Sequence, residues 1–224
     1  MLIACWSVKG GSGTTVVAAS LALLLASSAS GVLLADLAGD APAVLGLPEP
    51  MGEGLYDWLD ATADASALNR LAVEAAPGLS LIPRGRVSSF GGAGPGRLDR
   101  REPQDRMTAL AAALAARSST CVVDLGVISA DSAQLAASAT SSLLVIRPCY
   151  LALRRAVAAP VRPSGVVLVD EPARALGRHD VEDVLGVEVV ATVAFDPAVS
   201  RAVDAGLLAA RLPRQLARSL RPAA

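Results

Sequence analysis

Lys9-Gly10-Gly11-Ser12-Gly13-Thr14-Thr15 joins a short apolar run at residues 2–8 to a long Ala/Leu-rich run at 14–28. Short β-branched runs read as buried strands and longer Ala/Leu runs as helices, so the heptapeptide is a strand-to-helix turn. In that setting glycines let the backbone curl until successive N–H groups face one anion. The helix that follows adds the positive end of its dipole to the same point. A phosphate cradle is the chemistry such a turn supports; an ordinary glycine-rich turn is the plainer alternative.

The same alternation runs through the whole chain. Strands are expected at 2–8, 31–36, 79–82, 120–124, 142–146, 165–169 and 188–193. Helices are expected at 14–28, 55–59, 65–75, 103–117, 132–139, 151–159, 181–185 and 197–205, with a last one near 207–220. Strands alternating with helices predict an α/β fold: a mainly parallel central sheet of about seven strands with helices on both faces. No repeat or composition break divides the chain, so residues 1–224 are expected to form one domain. Residues 83–102, rich in Gly, Arg, Pro and Ser, read as a mobile surface loop.

Composition narrows the classes. Hydrophobic residues make up 53% and charged residues 18%, which suits a folded chain and not a disordered one. A formal net charge of −1 gives no global drive towards nucleic acid or acidic membrane. Of the 20 Lys and Arg residues only Lys9 is lysine, and it sits in the glycine loop, where a compact point charge suits a phosphate. Cys5, Cys121 and Cys149 are far apart and form no CxxC pair, so buried, reduced thiols are expected and not a zinc site or a disulfide framework. Met1 leads straight into a strand-like run without a basic segment before it, and the run at 16–29 is too short to span a bilayer. A cytoplasmic location follows as the expectation.

The glycine loop departs from the ordinary Walker A pattern, since Val8 stands where the first glycine belongs and Thr14 where the lysine belongs. It resembles the deviant form of the MinD/ParA family, in which an early lysine, matched here by Lys9, reaches the partner's phosphates across a nucleotide-sandwiched dimer. Further segments resemble that family in the same order. They are Val32-Leu33-Leu34-Ala35-Asp36, Gly54-Leu55-Tyr56-Asp57-Trp58-Leu59, Cys121-Val122-Val123-Asp124-Leu125-Gly126, Ala152-Leu153-Arg154-Arg155-Ala156 and Phe195-Asp196-Pro197-Ala198-Val199. The resemblance implies ATP or ADP with Mg²⁺ as cofactors. It implies Lys9, Gly10, Gly11, Ser12, Gly13, Thr14 and Thr15 around the phosphates, and Thr15, Asp36 and Asp124 around the metal, the last through water. Lys9, acting in trans, and Asp36 are the expected catalytic groups, while Asp170 and Pro197 are expected to border the base.

Three departures bear on chemistry. Thr14 brings no charge where the P-loop lysine neutralises the β and γ phosphates. Ala38 replaces the second aspartate of the family's D-x-D switch; Asp40, two residues on, is a candidate substitute, or else the N-cap of a helix at 41–45. Asp170-Glu171 replaces an Asn-Arg pair, and an ionised carboxylate cannot both donate to and accept from a base. Slow or absent hydrolysis is expected. Loss of the P-loop lysine with the rest of the loop kept is similar to the TadZ/CpaE-like branch, whose members localise Tad-type pilus assembly.

The reading that follows is a nucleotide-binding positioning protein, a nucleotide-dependent homodimer with a protein partner in pilus, secretion or positioning machinery. Two others stay open: an active partitioning or division-site ATPase, and a pseudo-ATPase scaffold with an empty site. Leu208, Leu212, Leu216 and Leu220 with interleaved arginines allow either a terminal helix packed on the sheet or a membrane-surface helix at the inner face of the membrane or the cell pole. Arg84, Arg86, Arg97, Arg100, Arg101 and Arg106 offer phosphate contacts, but Asp99, Glu102 and Asp105 dilute them, so nucleic acid is not the expected partner. His179 is given no catalytic or metal role.

Overall fold

A computed structural model describes residues 1–28, 31–61, 64–85 and 103–224 of the chain. The apolar runs become eight strands of one sheet: β1 (Leu2–Ser7), β2 (Val32–Asp36), β3 (Val73–Ala76), β4 (Leu79–Ile82), β5 (Cys121–Val127), β6 (Ser141–Ile146), β7 (Gly165–Asp170) and β8 (Val189–Ala194). Their order is β3-β4-β2-β5-β1-β6-β7-β8. Every neighbouring pair is parallel except β3 with β4. Every residue of β1 and β2 is buried, as parallel strands covered on both faces must be.

The helices are α1 (Thr14–Ala26), α2 (Ala41–Leu45), α3 (Leu55–Asp60), α4 (Leu68–Leu71), α5 (Pro103–Ala115), α6 (Ala130–Ser138), α7 (Tyr150–Val157), α8 (Arg178–Leu185), α9 (Pro197–Asp204) and α10 (Arg214–Leu220). Successive strand residues point to opposite faces, so Leu33 and Leu34 feed two separate cores. One core joins Trp58 of α3, Leu110 of α5, Leu135 of α6 and Val181 of α8. The other joins Val17 and Leu21 of α1, Val44 of α2 and Leu216 and Leu220 of α10. Helix α1 carries no charged residue and has no exposed position, because α2 and α10 pack over it. A helix that is apolar all round has to be covered in this way.

Among the described residues the sheet has eight strands, close to the expected seven. Two expected helices change. Residues 65–75 are not one helix: a 3₁₀ turn at Ala65–Ala67 and α4 are followed by β3, which turns back on β4 through Pro77-Gly78. Alanine favours helix, but a Pro-Gly turn beside a free sheet edge offers ladder hydrogen bonds that override that preference. The tail is helical only over α10 and the short turn Arg221–Ala223, beyond the break at Pro213. Its Leu208, Leu216 and Leu220 are buried in the second core, so they do not form a face for a bilayer in this fold. The expected mobile loop falls mainly on residues 86–102, outside the described residues, and so do Arg86, Arg97, Arg100 and Arg101. Among the described residues no helix is long and apolar enough to cross a membrane. All three cysteines are free thiols, but Cys149 is only partly buried.

Candidate functional site

The carboxyl ends of β1, β2, β4 and β5 meet at a cleft of about 640 Å³. Residues 10–16 form one wall of it. Ligands of open α/β sheets bind at this end, where the chain leaves neighbouring strands in opposite directions. Gly11 and Gly13 have φ of 74° and 86°, a region costly for any side chain, and no atom lies within 4 Å of where a Cβ on Gly10 or Gly11 would stand. The N–H groups of Gly10, Gly11 and Gly13 make no hydrogen bond among the described residues. The loop is held in shape from below: the Lys9 carbonyl accepts from Ser12 Oγ at 2.9 Å and from Ser7 Oγ at 3.1 Å. Unspent N–H donors on a fixed loop, ahead of a buried helix, make an anion cradle.

Behind the loop lies a pair of buried carboxylates. Asp36 of β2 and Asp124 of β5 stand opposite each other in register, and neither is exposed. Burial raises both pKa values, that of Asp124 to about 6. The Thr15 hydroxyl and the Gly126 N–H pull Asp124 down, while Asp36 and Asp40 push it up. Asp124 Oδ1 accepts from Gly126 N at 3.0 Å, whereas Oδ2 is buried without a hydrogen-bond partner of good geometry. A buried acceptor without a partner is costly, so it marks a place for a donor. With the Thr15 hydroxyl close to the same carboxylate, Oδ2 fits an acceptor for water bound to Mg²⁺. Among the described residues no group of three or more His, Cys, Asp or Glu could hold a metal by itself. An ion here would rely on Thr15, water and the phosphates of a nucleotide, which is how Mg²⁺ is commonly held.

Asp36 is employed differently from the expectation. Its Oδ1 accepts from Gly39 N at 2.7 Å and its Oδ2 from Ala41 N at 3.0 Å, so Asp36 tethers the turn between β2 and α2. Asp40 occupies the N-cap position of α2 but accepts no capping bond; its side chain is exposed and lines the cleft. The N-cap reading of Asp40 is therefore corrected: Asp36 already satisfies the helix's first N–H, that of Ala41. Thr14 is buried at the cleft wall.

Three expected residues stand apart from this cleft. Lys9 is half-exposed and does not line it. Asp170, at the end of β7, and Pro197, at the start of α9, are exposed on the other side of β1. On that side Arg147 donates Nη1 to the Gly11 carbonyl at 3.1 Å and Nη2 to Glu171 at 2.8 Å, and it lies over the Phe195 ring at 5.6 Å. Arg147 thus ties the glycine loop to the ends of β7 and β8, a role its sequence position alone did not signal.

Arg84 is the other residue that sequence reasoning missed as a cleft group. It lines the cleft from the end of β4, donates Nη1 to the Ala38 carbonyl at 2.9 Å and lies over Tyr56 at 5.1 Å. The sequence showed it only as one of several arginines able to contact phosphate, at a strand end between Pro83 and Gly85.

The family described as cellulose biosynthesis protein BcsQ matches residues 1–175. No curated protein matches the chain in sequence. Among solved structures, a ParA family ATPase from Chlorobium tepidum TLS superimposes with a TM-score of 0.74 at 21% identity, covering 98% of this chain and 96% of that one. The septum site-determining protein MinD complexed with Mg-ADP, from Pyrococcus horikoshii OT3, gives 0.73 at 18% identity, with 99% and 93% covered. The MinC:MinD cell division protein complex of Aquifex aeolicus gives 0.68 at 19% identity, with 98% and 94% covered. At these identities the likeness establishes the fold, an α/β sheet of the MinD/ParA P-loop type.

Proposed function

The chain belongs to the cellulose biosynthesis protein BcsQ family, and from that membership we propose that it is a nucleotide-binding switch that positions or regulates a cell-envelope machine. Its ligand is ATP or ADP with Mg²⁺. Residues 10–15 cradle the phosphates, while Thr15 and Asp124 hold the ion with Asp36 behind them. The observation that carries the reading is the cleft itself: a preshaped glycine loop with unspent N–H donors beside a buried Asp124 oxygen that lacks a donor. Mg²⁺ would screen the phosphates and supply a donor shell to that oxygen.

Turnover is slow or absent in this reading. Thr14 brings no charge to the phosphates. Ala38 offers no carboxylate for a water, and its carbonyl is already engaged by Arg84. Asp40 is the remaining carboxylate on the cleft wall and the candidate for what activity exists. The chain acts as a nucleotide-dependent dimer through the Lys9 face, in the manner of a deviant Walker A protein, and presents a surface to a protein partner. The family description favours cellulose-producing machinery as that partner, and the segment resemblance to TadZ/CpaE favours Tad-type pilus or secretion machinery. The partner recovered by crosslinking in cells distinguishes them.

Calorimetry with Mg-ATP and Mg-ADP tests the core of this reading, with micromolar binding expected. Absence of binding to either nucleotide would leave only the empty-site scaffold. Steady-state hydrolysis should stay within a few-fold of a Thr15→Ala background; robust turnover would instead mark an active ATPase of the partitioning kind.

A further inference from the structure

Resting on the nucleotide reading above, we infer that Arg84 is the cation that takes over, from the opposite wall of the cleft, the phosphate contact that Thr14 cannot make. A polyphosphate requires positive charge near its terminal groups, and the loop's own position for that charge holds a threonine. Among the described residues that line the cleft, Arg84 is the one cation, and Asp40 and Asp131 are carboxylates that line it too. It makes no ion pair among the described residues. Its one hydrogen bond goes from Nη1 to the Ala38 carbonyl, and its Nε is buried without a partner. A guanidinium carries five N–H donors in a fixed fork; with Nε buried and one Nη1 hydrogen given to Ala38, the other Nη donors remain for an anion.

The side of the cleft is also right. Mg²⁺ bridges the last two phosphates of a bound triphosphate. Thr15 and Asp124, which would hold that ion, lie on the β5 and β2 side of the loop. Arg84 follows β4, the next strand on that same side. A terminal phosphate beside an ion held there would face the Arg84 wall.

Arg84 is mounted on a rigid post. Leu55 N donates to the Pro83 carbonyl and Tyr56 N to the Arg84 carbonyl, both at 2.9 Å, so the first turn of α3 fixes the backbone on either side. Tyr56 lies under the guanidinium, and its stem packs on Gly39, where a Cβ would stand only 2.9 Å from Arg84 Cδ. The same guanidinium that meets the phosphate holds the Ala38 turn, which lets it report the presence of a terminal phosphate to the segment before α2.

The test uses the full chain with Mg-ATP and Mg-ADP in calorimetry. Arg84→Ala should weaken Mg-ATP about tenfold or more, the loss expected for one charged hydrogen-bonded contact, and Mg-ADP much less. Arg84→Lys should keep most of the ATP affinity, and adding Thr14→Lys to Arg84→Ala should restore it. Thermal melting of each variant shows that it is folded. Equal weakening of ATP and ADP would make Arg84 a structural post only and overturn the proposal, as would an Arg84→Ala chain that binds ATP like the unaltered one. A Thr14→Lys change that rescues nothing overturns the exchange of one cation for the other. If the unaltered chain binds neither nucleotide, the nucleotide reading falls and the role of Arg84 falls with it.

Discussion

Asp124 shows how a single side chain can be kept for a ligand at a cost to the free protein. Its carboxyl is wholly buried, one oxygen has no partner, and its pKa is pushed up to about 6 by burial. The folded state therefore holds the proton more tightly than the unfolded chain does. The stability this gives is fully present below the ordinary carboxylate pKa and is lost as pH rises through about 6. With Asp36 shifted in the same direction, the free chain should lose on the order of 2–3 kcal/mol between about pH 4.5 and 7. The exposed Asp64 and the half-buried Glu171 and Glu182 have lowered pKa values, so their opposite trend lies on the acid side of that window. Thermal melts in EDTA across this range should fall for the unaltered chain and fall less for Asp124→Asn, in which only the raised pKa of Asp36 remains. At neutral pH that variant should melt higher than the parent in the absence of ligand, yet gain nothing from Mg-ATP. A parent chain whose melting temperature rises over the window would show that Asp124 is not buried unpaired.

The segment Gly54-Leu55-Tyr56-Asp57-Trp58-Leu59 is legible in the sequence as a helix, but what the helix is for is not. Its N-terminus is pressed against the backbone after β4: a Cβ on Gly54 would stand 2.3 Å from both Gly85 N and the Pro83 carbonyl. Both are backbone atoms that cannot turn aside, so Gly54→Ala should push α3 off its post and break the bonds from Leu55 and Tyr56. A loss of about 2 kcal/mol or more is expected, read as a lower urea midpoint with the slope unchanged. ATP affinity should fall with it, because Arg84 loses its mount. The same contrast between local and distant causes separates what could be read from what could not. The glycine loop, the apolar strands and the aspartate ending β2 are local patterns, and they appear where the periodicity put them. The β3 hairpin depends on pairing with β4 against alanine's helical preference. The cleft position of Arg84 depends on a helix about thirty residues earlier in the chain. Asp36 and not Asp40 caps α2, because which carboxylate reaches the Ala41 N–H is set by the fold of the turn, not by residue type.

At the scale of the whole molecule, the chain carries one lysine, and the fold keeps it out of the cleft that its own loop forms. The backbone of Lys9 is pinned, since two serine hydroxyls donate to its carbonyl, while its side chain is half-exposed. The proposed dimer gives this charge, at the rim of the phosphate cradle but not lining it, to a second copy docked face to face. In that arrangement each cradle is completed by the partner's lysine, and nucleotide and association become linked. Anything that binds the dimer better than the monomer then drives dimerisation by mass action. Lys9→Ala should consequently leave Mg-ATP binding to the monomer nearly unchanged while weakening ATP-dependent dimerisation about tenfold or more, measured by mass photometry. Mixing separates this from a role within one chain. Neither a Lys9→Ala copy nor an Asp124→Asn copy should dimerise well alone. Together they form one intact composite site, because the first supplies the ion-binding carboxylate and the second supplies the lysine. ATP-dependent heterodimers should therefore appear only in the mixture. If Lys9 serves its own cradle, each copy remains defective whatever it is mixed with, and the mixture stays monomeric.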